Sequence, residues 1–162
     1  RYVIMLEFVD IQCDKIANYL QTKLNELSFE NYKFKIVKTT RNWNDENIPI
    51  GDFPCLKVYR EQDVFSQESY KVKSQIIIQY GVVITANYKY TPALNQIGKY
   101  IHTLLAIADD HDDYIIISRN VQPTGSLVVS RGQNDYIYGW YTYRFGIEDQ
   151  TIPSNLVQNM LV

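Results

Sequence analysis

The sequence predicts one α+β domain, built from a single, largely antiparallel sheet with two helices packed on one of its faces. The chain has 162 residues, 46% of them hydrophobic and 21% charged, which is the size and composition of one globular domain. Two segments carry one apolar stripe each at helical spacing, and the other patterned segments show the alternation or the β-branched runs of strands. Two such helices and one sheet bury their apolar faces most economically as two layers. The predicted element order is helix, three strands, helix and two to three strands, followed by an extended C-terminal tail.

The first helix and the first strand are predicted between residues 11 and 40. Residues 11–27 form an amphipathic helix, and Asp10 is its candidate N-cap. In residues 32–40, tyrosine, phenylalanine and isoleucine alternate with lysines, as in a strand. The alternation sends lysines and aromatic rings to opposite faces, so it predicts a half-exposed strand and not a platform for single-stranded nucleic acid.

Two further strands are predicted to form the centre of the sheet. Residues 53–60 form a strand that opens on a proline, and residues 61–69 form a polar connection. Residues 70–86 form a long strand whose apolar run extends to both faces in places, which indicates a central strand covered on both sides for part of its length. Gly81 within this run marks a bulge or a close approach of another group to the backbone.

The second helix and the closing strands follow. The helix opens at Thr91, with a proline at its first position, and its apolar stripe runs to Ala108. Residues 114–119 form a short buried strand, residues 121–132 form a turn-rich stretch, and residues 135–147 form the last strand.

The last strand and the residues after it carry more aromatic and apolar side chains than a small domain is expected to bury alone. We therefore divide the chain into a domain at residues 1–148 and a C-terminal tail at residues 149–162 that packs on a neighbouring subunit. The predicted partner interface lies on this strand and tail, at Tyr141, Tyr143, Phe145, Ile152, Leu156, Met160 and Leu161.

Charge and hydropathy argue against several classes of function. The net charge of −2 and the pI of about 5.7 lack the basic excess of nucleic-acid and anionic-membrane binders. No apolar run approaches the roughly 20 residues of a membrane span. Cys13 and Cys55 form no CxxC pair and are expected to be buried thiols in a reducing compartment.

The sequence contains no phosphate loop, no dinucleotide-binding glycine motif and no nucleophile elbow. His102 lies off the apolar stripe of the second helix, where we expect a solvent-facing or boundary side chain. Cys55 lies inside a predicted strand, so we expect a buried thiol rather than a thiolate paired with His102 or His111. We therefore predict that the chain is not an enzyme, with no catalytic residue, no metal ligand and no cofactor.

An acidic cluster at residues 109–113 is the sharpest local signal, because four aspartates flank His111. Hard cations need several converging oxygens, but the spacing of a calcium loop is absent here. Carboxylates at a helix C-terminus are disfavoured by the helix dipole, so we expect an exposed acidic turn at which the helix ends. Two functional alternatives stay open: a small metal-binding or enzymatic domain that uses this cluster, and an electrostatic contact with a basic patch of a neighbouring subunit.

Residues 52–59 read Asp-Phe-Pro-Cys-Leu-Lys-Val-Tyr, and they precede a long Ile/Val strand and the helix at residues 92–108. This edge-strand pattern of proline, small, apolar, any residue, valine and tyrosine resembles the tail terminator proteins of long-tailed bacteriophages. The element order over most of the chain resembles theirs too. Members of that family form rings that cap the tail tube.

The resemblance implies a homohexameric ring at the head-proximal end of the tail, which stops tube polymerisation and docks the tail to the head-closure protein. The implied partners are other copies of the chain and the tail-tube, sheath and head-closure or neck proteins, with no specific nucleic-acid site and no membrane. The implied location is the tail or neck of the virion, after assembly in the host cytoplasm. Another neck protein, such as a head–tail adaptor or a tail-completion protein, is the alternative within the same class.

Overall fold

The computed structural model describes residues 8–29, 32, 33, 38–40, 50–65, 71–84, 91–111, 123–131, 137–151, 159 and 161. They form two helices, α1 (Phe8–Asn25) and α2 (Thr91–His111). Their strands are β1 (Ser28–Phe29), β2 (Tyr32–Lys33), β3 (Lys38–Thr40), β4 (Cys55–Phe65), β5 (Lys71–Ile84), β6 (Thr124–Arg131) and β7 (Ile137–Thr151). A short 3-10 turn at Ile50–Asp52 precedes β4, and the Phe53–Pro54 peptide bond is cis.

The main sheet has the strand order β3-β4-β5-β7-β6. Strands β4, β5, β7 and β6 are antiparallel to their neighbours, whereas β3 adds three residues in parallel to the start of β4. Strands β1 and β2 form a separate antiparallel pair. The predicted α+β class with one largely antiparallel sheet is confirmed. The single strand predicted at residues 32–40 is wrong, because its two ends belong to different sheets; residues 34–37 lie outside the described part.

Both helices pack on the same face of the main sheet, as predicted. In α1 the stripe formed by Ile16, Leu20 and Leu24 is fully buried, and in α2 Ile97 and Ile101 are buried in the same cluster. Helix α1 lies over β4 and β3, and α2 lies over β7 and β6. Helical residues three or four apart share a face, and so do strand residues two apart. Each element therefore has one apolar side towards the other layer, and these sides pack together.

Strand β5 lies at the centre of the sheet and is buried on both faces for part of its length. Ile76 and Ile78 face the helices, and Ile77, which is 4% exposed, points to the opposite face. The predicted central strand with cover on both sides is therefore confirmed. Helix α2 begins at Thr91, as predicted, and it continues past Ala108 to His111. No described helix has the length and apolar character needed to cross a bilayer.

Strand β7 buries four of its five aromatic residues within the chain itself. Tyr143 and Phe145 pack towards the helices, whereas Tyr138 and Trp140 form a second cluster with Phe53 on the opposite face. The ring of Phe53 stacks on Tyr138 at a centroid distance of 4.9 Å and meets Trp140 edge-on at 5.5 Å. The predicted surplus of exposed aromatic surface on this strand is therefore wrong, because both faces are covered by the same chain.

Two segments predicted as connections are strands. Strand β4 continues to Phe65, so the predicted polar connection at residues 61–69 is wrong over its first half. Its polar side chains pair across the hairpin with β5, where Gln62 donates to Gln75 at 2.6 Å and Ser74 donates to Asp63 at 2.8 Å. The exposed end of this hairpin is rich in paired polar side chains, so its composition resembles that of a loop.

The turn-rich stretch predicted at residues 121–132 contains strand β6, which pairs with β7 from Thr124 to Arg131. Strand β7 runs to Thr151, so the domain boundary predicted after residue 148 falls inside a strand that still pairs with β5. The short strand predicted at residues 114–119 lies outside the described residues.

Candidate functional site

Strand β6 is an outer strand of the main sheet and carries two exposed apolar side chains. Val128 and Val129 follow one another, so they point to opposite faces, and they are 52% and 59% exposed. Among the described residues, no strand pairs with the outer edge of β6. An outer strand with free backbone groups and apolar side chains on both faces pairs readily with another chain.

A cleft of about 490 Å³ opens between α2 and the start of β6, with β7 at its floor. Its polar lining comes from Lys99, His102 and Thr103 of α2, Thr124 of β6, and Tyr141 and Tyr143 of β7. The described lining contains no aspartate or glutamate. The cleft therefore presents an ammonium group, an imidazole and several hydroxyls without a negative charge among them.

The imidazole of His102 is held by Tyr143. The Tyr143 hydroxyl lies 2.6 Å from Nδ1 of His102, although His102 itself is an exposed residue of α2. Burial, reinforced by the neighbouring Tyr141, raises the pKa of Tyr143 to about 12, so its hydroxyl keeps its proton and can donate it to Nδ1. When Nδ1 accepts this hydrogen bond, the neutral ring carries its own proton on Nε2, which is then a hydrogen-bond donor.

Two glycines make room for the hydroxyl end of Tyr141. A Cβ atom at Gly98 of α2 or at Gly125 of β6 would overlap the Tyr141 hydroxyl. The close approach of α2 to β6 therefore depends on the absence of side chains at these two positions. This geometry sets the width of the cleft and fixes Tyr141 at its floor.

A buried lysine lies on the sheet face opposite to the helices. Lys57 is fully buried, and its Nζ lies 4.4 Å from the centroid of the Trp140 ring. Burial lowers the pKa of Lys57 to about 8, because the charged form loses its hydration. The indole face attracts the ammonium group and offsets part of that loss. Cys55 is buried on the same face, so the alternative that pairs its thiol with His102, which lies on α2, is not formed.

The structure places the residues of the predicted partner interface in different environments. Phe145 and Tyr143 are 1% and 5% exposed and belong to the core under α2, and Tyr141 is half-buried at the floor of the cleft. Leu161 is 76% exposed. The remaining predicted interface residues, Ile152, Leu156 and Met160, lie outside the described residues. Burial in the core removes Phe145 as a surface contact in the folded chain.

The acidic cluster is partly described. Its first three residues belong to α2, which the structure describes to His111, and residues 112 and 113 lie outside the described part. Among the described residues, no group of three or more histidine, cysteine, aspartate or glutamate side chains is placed to hold a metal ion.

Strand β6 and the cleft beside it are not predicted from the sequence. The β-branched pair Val128–Val129 was a signal for the strand, but nearby proline and glycine residues favoured turns. Gly98 was a signal for the cleft, because glycine inside a helix destabilises it and so often marks a close approach. Neither signal indicates the contact with Tyr141 of β7, because Gly98 and Tyr141 are far apart along the chain.

No protein-family model matches this chain, and no curated protein matches it in sequence.

Proposed function

We propose that this chain is a structural subunit of a bacteriophage neck, a tail terminator whose homo-oligomeric ring caps the tail tube and joins the tail to head-closure proteins. The observation that carries the proposal is the outer strand β6 with its exposed Val128 and Val129. An apolar outer strand is a liability in a protein that works alone, and it is useful in a subunit that meets other chains. The resemblance of residues 52–59 to the tail terminator family supplies the particular assembly.

The proposal predicts that Val129→Lys weakens self-association. The lysine adds charge to the strand that would pair or pack in the assembly, and charged outer strands resist such contacts. We expect wild-type rings of about six chains in mass photometry and negative-stain microscopy, and smaller species for the variant. Head-to-tail contacts between identical chains produce a closed ring when the rotation between neighbours closes.

Val64→Lys is the matched control, because Val64 of β4 is similarly exposed, at 51%, at the far end of another strand. It should leave the ring intact. A wild-type chain that stays monomeric at micromolar concentrations would argue against the proposal. Capture of purified head-closure protein but not of tail tubes would indicate a head–tail adaptor instead.

A second prediction concerns the tail. Deleting residues 155–162 should weaken assembly more than it lowers the free energy of unfolding, because Leu161 is 76% exposed and adds little to the core. Mass photometry and urea unfolding measure the two effects on the same preparation. Equal losses in both would show that the tail belongs to its own domain.

A further inference from the structure

The described lining of the cleft between α2, β6 and β7 carries positive and neutral polar groups in a chain whose net charge is −2. Lys99 and His102 occupy neighbouring positions of one helix turn, and both are exposed. The hydroxyls of Thr103 and Thr124 add donors beside them. A carboxylate entering the cleft would therefore meet several donors and one full positive charge.

His102 is oriented for such a contact. The Tyr143 hydroxyl engages Nδ1 at 2.6 Å, so the other ring nitrogen, Nε2, is the one that can donate to a carboxylate in the cleft that His102 lines. Gly98 and Gly125 keep the cleft at the width that the Tyr141 hydroxyl fills at its floor. These contacts hold the site in place before any ligand arrives, which reduces the entropy lost on binding.

The same helix carries groups of the complementary charge at its C-terminal end. Asp109 and Asp110 lie in the last turn of α2, and Asp112 and Asp113 follow directly in the sequence. The dipole of α2 disfavours carboxylates at this end, so a cation supplied from outside would relieve an unfavourable interaction. Lys99 and Asp109 are ten residues apart, which places them about 15 Å apart along the axis of one rigid helix. The two groups therefore cannot meet within one chain.

We propose that the cleft at Lys99 and His102 receives the acidic C-terminal end of α2 from a second copy of this chain. The contact joins two different surfaces, so it is head-to-tail, and repeated contacts of this kind close into a ring when the rotation permits. The inference rests on the proposed self-assembly and names one of its interfaces. It assigns Asp109 and Asp110, the two aspartates of the acidic cluster that lie in α2, to an electrostatic contact between subunits.

A charge-swap experiment on the full chain tests the proposal. Lys99→Glu should raise the concentration at which half the chains are assembled by about tenfold at low salt, since it replaces an attraction with a repulsion. Asp109→Lys/Asp110→Lys should have a similar effect. The variant that combines all three changes should assemble within about twofold of wild type, because opposite charges face each other again. Mass photometry over a concentration series measures assembly, and circular dichroism checks the fold.

Lys15→Glu is the matched control, because Lys15 is an exposed lysine of the other helix, and it should leave assembly unchanged. If the Lys99→Glu variant forms rings at the same concentration as wild type, this contact is overturned and the proposed function is unaffected. Loss of assembly in both charge variants without recovery in the combined variant would overturn the choice of occupant. A monomeric wild type would instead overturn the proposed function together with this contact.

Discussion

Replacing Gly81 by alanine is expected to lower the free energy of unfolding by about 3 kcal/mol, at the upper end of the usual range for an overpacked core. A Cβ at this position would lie 2.6 Å from Cε3 and 2.7 Å from Cη2 of Trp140, closer than carbon atoms approach without strain. Trp140 cannot easily move, because it is 4% exposed and packs against Phe53 and Lys57. Urea unfolding followed by circular dichroism measures the change.

Two further variants identify the cause. Gly51→Ala is the matched control, since a Cβ at Gly51 has no atom of the described structure within 4 Å, and it should be neutral or slightly stabilising. In a Trp140→Ala background, Gly81→Ala should cost less than about 1 kcal/mol, because the ring that it strikes is gone. An undiminished loss in that background would show that the indole is not the obstacle.

Replacing Lys57 by methionine is expected to raise the free energy of unfolding at pH 7 by about 2 kcal/mol. Burial lowers the pKa of Lys57 from 10.5 to about 8, a shift that corresponds to roughly 3 kcal/mol against the charged form. The contact with the Trp140 ring returns roughly 1 kcal/mol of this. Methionine keeps the length of the side chain and removes the charge from the buried face.

The same lysine predicts the pH dependence of stability. Between about pH 8 and 10.5 the unfolded chain still holds the proton that the folded chain has lost, so Lys57 makes stability rise with pH in this window. Above pH 10 the sign reverses, because burial raises the pKa of Tyr143 to about 12, and the folded chain then holds the extra proton. Burial also raises the pKa values of Tyr19 and Tyr59, which act in the same direction.

The difference between wild type and Lys57→Met isolates the contribution of this group. Urea unfolding at intervals from pH 7 to 11 should show the advantage of the variant shrinking through pH 8 to 10.5. Lys15→Met, which removes an exposed lysine of α1, should show no such trend. A constant difference between Lys57→Met and wild type at all pH values would mean that Lys57 has an ordinary pKa in the folded chain.

The helices and the central strand could be predicted from the sequence because their signals are local. The stripe of Ile16, Leu20 and Leu24 in α1, and the start of α2 at Thr91, depend on residues within a few positions of one another. Gly81 was recognised as a bulge or a close approach, and the second alternative is the one that the structure has. The neighbour that makes this close approach is Trp140, which is 59 residues away. Only the pairing of β5 with β7 places it opposite Gly81.

The candidate site could not be predicted from such local signals. Strand β6 contains Gly125 and follows Pro123, so its local preference is for turns, and its pairing with β7 overrides that preference. The acidic cluster was found from composition alone, because four aspartates in five residues need no fold to be noticed. The cleft proposed to receive it combines residues from positions 98 to 143, which only the fold brings together.

By itself, the sequence determined the α+β class, the two amphipathic helices and the long central strand, because periodicity within a segment decides which of its sides is apolar. The tertiary structure decided what covers each side. It buried Tyr143 and Phe145 under α2, it put Lys57 against Trp140 on the opposite face, and it left Val128 and Val129 on an outer strand. The physical reason is that strand order and register are set by long-range pairing, and these fix which apolar side chains remain exposed.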